Sequence, residues 1–350
     1  MANNRIFYAC QAVALGQFGT TTFTELHGVQ SVGVNTTFNL EQAFELGQIS
    51  IYENIEGLPD VEVTIERVLD GYPLAYKLAT QGASGDTLVN RTKQRCNAVL
   101  AIYPDDKDSV SGAPDVQVYM SGMYINSISY TLPVEGNCTE SITLVGNHKV
   151  WDATNKFTST NAAGFKYGGD TPKNLQSGSY KGGIQRRENV LMASSILPQS
   201  IYGVAQNANA GNNWDSGTST PKAHIQNISI STDAGRENIL ELGRKAPYYR
   251  APNFPVEVTC EIEVIAVSGD FVSAYEEGKS SYVGTVDEGN NTTEETIKIV
   301  LQDGTIFDLG IKNRLSSVTY GGADAGGGNA AMTYSFSTFN DMTVTGPNNT

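Results

Sequence analysis

Through most of this chain apolar and polar residues alternate, the period-two pattern of strands with one buried and one wet face. VQSVGV (29–34) and IQNISI (225–230) alternate strictly, and so do VEVTIE (61–66) and VEVTCE (256–261). The pattern predicts strands over 29–35 and 225–231, and over 61–68 and 256–267. In the second pair Val61, Val63 and Ile65, like Val256, Val258 and Cys260, turn to a core, while Glu62, Thr64 and Glu66 turn outward. Two further strands in each half pair across turns rich in Gly and Asn: QVYMSGMYINSISYTL with CTESITLVG, and TIFDLGIKNRLSSVTY with AMTYSFSTF. A helical period shows only briefly, where Leu74 and Leu78 stand four apart around Ala75, with Val272 and Tyr275 in the corresponding place. The opening RIFYACQAVALG (5–16) is short and interrupted by Gln11 and Gly16, so it reads as a strand rather than a membrane span or a signal peptide.

The two sets of strands occur in one order. The shift from Val29 to Ile225 is 196, and it holds for Glu41 and Glu237, for Glu45-Leu46-Gly47 and Glu241-Leu242-Gly243, and for Tyr52 and Tyr248. The VEVT words match at 195, Gly71 and Gly269 at 198, and Ser127–Tyr130 with Ser317–Tyr320 at 190. Shifts that hold within strands and jump in loops are those of a module built twice. The expected organisation is a β module over 1–150, a Gly/Asn/Ser-rich connection over 151–184, and a second β module over 185–350. Each is a mostly β sandwich or half-open barrel with one short flanking helix and long loops. ENVLMASSILPQ (188–199) resembles the N-terminal strand weakly, and 203–222 forms a polar loop in the second copy. Gly47 and Gly243 close the ELG segments and suit a helix or turn end.

Charge and chemistry narrow the function. A formal charge of −14 argues against a phosphate-clamping surface. Cys10, Cys96, Cys138 and Cys260 stand alone, outside any CxxC, and read as buried reduced thiols. YGGADAGGG (320–328) lacks the Lys-Ser/Thr of a phosphate loop and reads as a hairpin tip. Asp105, Asp106 and Asp108 lack the Gly and terminal Glu of a calcium loop. His27, His148 and His224 lie far apart, with no HExxH and no nucleophile elbow. No catalytic residue, metal ligand or cofactor is expected, and the chain is expected not to be an enzyme.

The order of a strand, a long ELG-bearing loop, a VEVT strand, a helix and a hairpin ending in TESITLVG resembles the bacteriophage tail tube proteins, with ELGRKAPYYRAPNFPVEVTCEIEV (241–264) the most specific stretch. The resemblance covers most of 1–150 and 185–350. It implies a structural virion protein, assembled in the host cytoplasm and placed in the tail, whose sheets join edge to edge into rings that stack into a tube for DNA ejection. Single-module members form six-membered rings, so a two-module chain implies trimers with pseudo-sixfold symmetry. Glu45, Leu46, Gly47, Glu241, Leu242 and Gly243 then belong to the ring-stacking loops. Glu62, Glu66, Glu257 and Glu261 are candidates to line the lumen, where carboxylates repel passing DNA without binding it. The implied partners are other copies of the chain, and sheath, tape-measure, baseplate or terminator proteins. The alternatives are another tail ring of the same fold (terminator, hub or baseplate tube protein) and a tandem β-sandwich binding or adhesion protein.

Overall fold

The structure is a computed structural model and describes residues 6, 8–20, 23–47, 49–104, 114–152, 183–198, 201, 224–265, 295–322 and 328–347. The first half contributes β1 (Gln11–Gln17), β2 (Thr24–Glu25), β3 (Val29–Thr37), β4 (Leu40–Ala43), β5 (Glu53–Glu56) and β6 (Asp60–Val68). Helices α1 (Ala75–Ala79) and α2 (Leu88–Thr92) follow, then β7 (Arg95–Ile102), β8 (Val116–Pro133), β9 (Thr139–Gly146) and β10 (His148–Asp152). The second half contributes β11 (His224–Asp233), β12 (Glu237–Ile239), β13 (Tyr249–Ala251), β14 (Glu257–Ile265) and β15 (Lys298–Val300). It ends with β16 (Ile306–Asp308), β17 (Arg314–Gly321), β18 (Ala331–Phe339) and β19 (Thr343–Thr345).

The chain is mostly β. One antiparallel sheet runs β3-β6-β9-β8-β11-β14-β18-β17. Its first four strands and its last four have the same chain order, so β3, β6, β9 and β8 correspond to β11, β14, β18 and β17. The irregularities correspond too. The ladder slips at Gln30 in β3 and at Gln226 in β11, and again at Asn126 in β8 and Ser316 in β17. A bulge adds one unpaired residue at a defined place, and its recurrence at matching places fixes the equivalence residue by residue. The ladders also correct the match between the VEVT words. Val61 lies opposite Thr36, and Val258 lies opposite Thr232, so Val61 corresponds to Val258 and not to Val256. The slip is two residues, an even number, which leaves every side chain on the same face.

A second layer repeats as well. The first half of β8 leaves the main sheet to pair with β7 and β10, and β7 carries β1 and β2. In the second half β16 pairs with β15 and β19, and single bridges tie Val190 to Leu301 and Ile196 to Lys298. Residues 305–320 read as one strand by pattern, yet they break between β16 and β17. Gly310 adopts φ +70 there. The Asn313 amide donates to the carbonyls of Leu309, Gly310 and Glu295, which holds the chain in a turn. The ELG segments take the turn form of the two that were expected: Gly47 and Gly243 sit at φ +95 and +85 in the turns of the hairpins β4–β5 and β12–β13. The expected helix around Val272 and Tyr275, the Asp105–Asp108 loop, most of 151–184, the 203–222 loop and the centre of the Gly-rich 320–328 stretch lie outside the described residues.

The larger of two apolar clusters holds Val61, Val63, Ile65, Val256, Val258 and Cys260, and the smaller gathers around Cys10, Ala12 and Phe23. The helix α1 is seated in the larger cluster by a carboxylate. Glu140, fully buried, accepts from the backbone N–H of Ala75 (2.8 Å) and Tyr76 (3.1 Å) and from the Tyr130 hydroxyl (3.0 Å). These N–H groups open the helix and have no partner within it. Arg67, also fully buried, lies 3.9 Å from Glu140 and donates to Asp70 (2.7 Å) and the Pro73 carbonyl (2.5 Å). All four cysteines are free and buried. Burial pushes the thiols of Cys96, Cys138 and Cys260 up to about 12, so they remain protonated and inert at neutral pH.

Candidate functional site

The features that invite partners are an internal join, two open sheet edges, a polar face and two protruding hairpins. At the join β8 pairs with β11 in continuous register, with Ile230 opposite Tyr130 and Ser231 opposite Ser129. Side chains lock it on both sides. Tyr130 packs on Phe307 with ring centroids 4.5 Å apart. Tyr124 meets Tyr249 edge to face at 5.9 Å, and Arg236 lies 4.8 Å over the Tyr124 ring. Arg236 donates to the carbonyls of Thr92 (2.5 Å), Ile125 (2.7 Å) and Arg250 (3.0 Å). Burial lowers the Arg236 pKa to about 10, which leaves it charged at pH 7.

Next to it Asp60 receives Arg250 (2.5 Å), Asn39 (3.0 Å) and Asn147 (3.0 Å). Partial burial pushes this carboxyl up, but those three donors together hold it below its usual 3.8. A depressed carboxylate stabilises the fold above the unfolded value and loses that contribution as pH falls through it. Asp60→Asn is therefore expected to melt below the wild type at pH 7, by a modest margin because Asp60 is half exposed. The gap should close as the pH drops below 3.8; a gap that persists at pH 2 would refute the assignment.

The edges are β3 and β17, which have no strand on their outer sides among the described residues. They expose what their counterparts bury. Tyr320 is 53% exposed, whereas Tyr130, its equivalent in β8, is 1% exposed. Val32 and Val34 are half-buried, whereas their equivalents Ile228 and Ile230 are buried. Unpaired edges with apolar side chains are templates for another strand.

The face of the main sheet turned away from the core carries small hydroxyls and carboxylates. One row across it reads Ser31, Glu66, Ser141, Ser129, Ser231, Thr259, Ser337 and Arg314. Glu62, Glu66, Glu257 and Glu261 all lie exposed on this face. Ser31 donates to Glu66 at 3.4 Å, and Glu261 stands between Ser229 and Ser335. A shallow hollow of about 450 Å³ opens among Ser127, Ser141, Asp233, Glu257 and Thr259.

The hairpins carry the other expected residues. Leu46 and Leu242 are fully exposed at the two tips, flanked by exposed Glu45 and Glu241. Phe38, Leu40, Phe44, Ile49 and Tyr52 extend the apolar surface of the first hairpin, and Leu240 and Tyr248 that of the second. Arg244 pairs with Glu241 at 3.0 Å. Sequence reasoning missed the Asp60–Arg250 knot and the side chains of the join. Carrying the shift of 196 from β3 and β11 through the hairpins would have found the equivalent positions there. Among the described residues no cluster of three or more His, Cys, Asp or Glu could hold a metal, and no helix is long and apolar enough to cross a membrane.

Neither a family model nor a characterised protein sequence matches the chain. Among solved structures, the chain is similar to the tube-terminating cap of the anti-feeding prophage, with a TM-score of 0.34, 11% identity, and coverage of 44% of this chain and 94% of that one. It is similar to a chain of the extended sheath–tube complex of the PVC extracellular contractile injection system (TM-score 0.33, 10% identity, 43% and 94% coverage). It is also similar to a chain of the six-fold-symmetrised anti-feeding prophage baseplate (TM-score 0.34, 12% identity, 44% and 99% coverage). Scores of this size do not establish a shared fold.

Proposed function

We propose that this chain is a structural ring subunit of a phage-like tail, and that three copies close into a ring of six modules whose rings stack into a tube. The observation that carries this reading is the β8–β11 join. Two four-stranded ladders of the same order already meet edge to edge inside one chain, and the same two kinds of edge, β17 and β3, are open at the ends among the described residues. A head-to-tail contact repeated at a fixed rotation closes into a ring. The module division at 1–150, 151–184 and 185–350 belongs to this proposal, as does the absence of catalysis.

The surfaces have roles within it. The hydroxyl- and carboxylate-bearing face, with Glu62, Glu66, Glu257 and Glu261, lines the lumen. Contacts to roughly six to ten phosphates already bind DNA tightly, so a conduit works best with carboxylates that keep the polyanion off the wall. The tips at Glu45-Leu46-Gly47 and Glu241-Leu242-Gly243 bury their leucines between rings. Sheath, tape-measure, baseplate or terminator proteins are the partners such a tube would meet, within a tail assembled in a host cytoplasm.

Electron microscopy of the purified protein tests the reading. The wild type is expected to give hollow rings and tubes. The variant Leu46→Asp with Leu242→Asp should give single rings, because two exposed charges per pair of stacked modules replace an apolar contact. A protein that stays monomeric at every concentration overturns the proposal, and a ring map with the four glutamates on the outer wall overturns the lumen assignment.

A further inference from the structure

If the ring reading holds, the internal join describes the join between copies, residue by residue. We infer that β17 of one copy pairs with β3 of the next in the register of β8 with β11, and that an ion pair between Arg314 and Glu53 locks it where the internal join uses two tyrosines.

The matching bulges supply the register. Tyr130 corresponds to Tyr320 and Ser129 to Thr319, while Ile230 corresponds to Val34 and Ser231 to Asn35. The pairs Tyr130–Ile230 and Ser129–Ser231 of the internal join therefore become Tyr320–Val34 and Thr319–Asn35 between copies. Val34 and the Tyr320 ring then gain the cover that Ile230 and Tyr130 already have.

The lock follows from the same equivalence. Tyr124 pairs with Val145 in the first ladder as Arg314 pairs with Ser337 in the second, so Arg314 holds the place of Tyr124. In the hairpins Ala43 lies opposite Glu53 as Ile239 lies opposite Tyr249, so Glu53 holds the place of Tyr249. Tyr124 and Tyr249 touch inside the chain. Their replacements are opposite charges, both exposed. Arg236, which braces the internal contact, is replaced by the exposed Leu40, so at this one position the intermolecular contact relies on charge where the internal one relies on aromatic packing and buried hydrogen bonds. The join between copies is therefore expected to weaken as salt screens the Arg314–Glu53 pair.

Two experiments on the full chain test this. Glu53→Arg or Arg314→Glu alone should raise the concentration needed for ring formation, followed by light scattering, by about tenfold, since like charges then face each other at each of three joins. Combining the two reversals should restore ring formation at low salt. Separately, Asn35→Cys with Thr319→Cys should give disulfide-linked ladders under mild oxidation, whereas Asn35→Cys with Ser317→Cys, two residues out of register, should not. The native cysteines are buried and contribute little background. Rings that form without rescue and without the in-register cross-link overturn this register and leave the ring standing. A wild type that never forms rings removes both proposals.

Discussion

Glu140→Ala is expected to destabilise the protein by about 3–5 kcal/mol, the usual cost of removing one partner from a buried, hydrogen-bonded charge cluster. Three donors lose their acceptor at once: the backbone N–H groups of Ala75 and Tyr76 and the Tyr130 hydroxyl. Arg67 remains buried with Asp70 and the Pro73 carbonyl, but without the second carboxylate beside it. The deletion also leaves a void in a core where neighbouring side chains are fully buried. Glu140→Gln keeps the shape and one acceptor oxygen, and should lose clearly less. Chemical denaturation followed by far-UV dichroism measures both. A loss below about 1 kcal/mol for the alanine variant would show that α1 is held by apolar packing alone.

Arg236→Ala should cost about 3 kcal/mol, and its effect should be local. Three carbonyls lose a charged donor, and the Tyr124 ring loses the cation above it. Those acceptors belong to both halves of the chain, so the change separates the base of the second hairpin from the first module without opening either core. Hydrogen exchange is expected to accelerate in β12 and β13 while the ladder between β14 and β18 stays protected. Equal acceleration in both would mean that Arg236 supports the whole fold rather than the join.

The strands were legible because one face of each is buried. Period two therefore showed in VQSVGV, IQNISI and the VEVT words, and the structure places strands at all four. The duplication was legible for the same reason, but its register was not. Sequence identity drew VEVT onto VEVT, whereas backbone pairing matches Val61 with Val258. Strand faces are specified by alternation, which a shift of two leaves unchanged, so only the bulges at Gln30 and Gln226 fix the frame. The break between β16 and β17 was hidden because it depends on the Asn313 side chain reaching three carbonyls. Among candidate site residues, the exposure of Leu46 and Leu242 followed from their place beside glycine in a turn. The Arg236 cluster did not, since an arginine donating to distant backbone carbonyls leaves no periodic trace in sequence.

The β8–β11 join has a kinetic meaning as well. Because it forms between parts of one polypeptide, its two edges meet at the high local concentration set by their tether, whatever the amount of protein in the cell. Of the six joins in the proposed three-copy ring, three form within the chains as they fold, one per chain, and only three await a collision. Closing the proposed ring would then be a third-order problem rather than a sixth-order one, so closed species would outrun the partial arcs whose bare edges would otherwise accumulate and aggregate. Covalent fusion of this kind also fixes the proportion of the two hairpins at one to one, so in the proposed ring any partner that prefers one tip would find its sites evenly spaced around the circle.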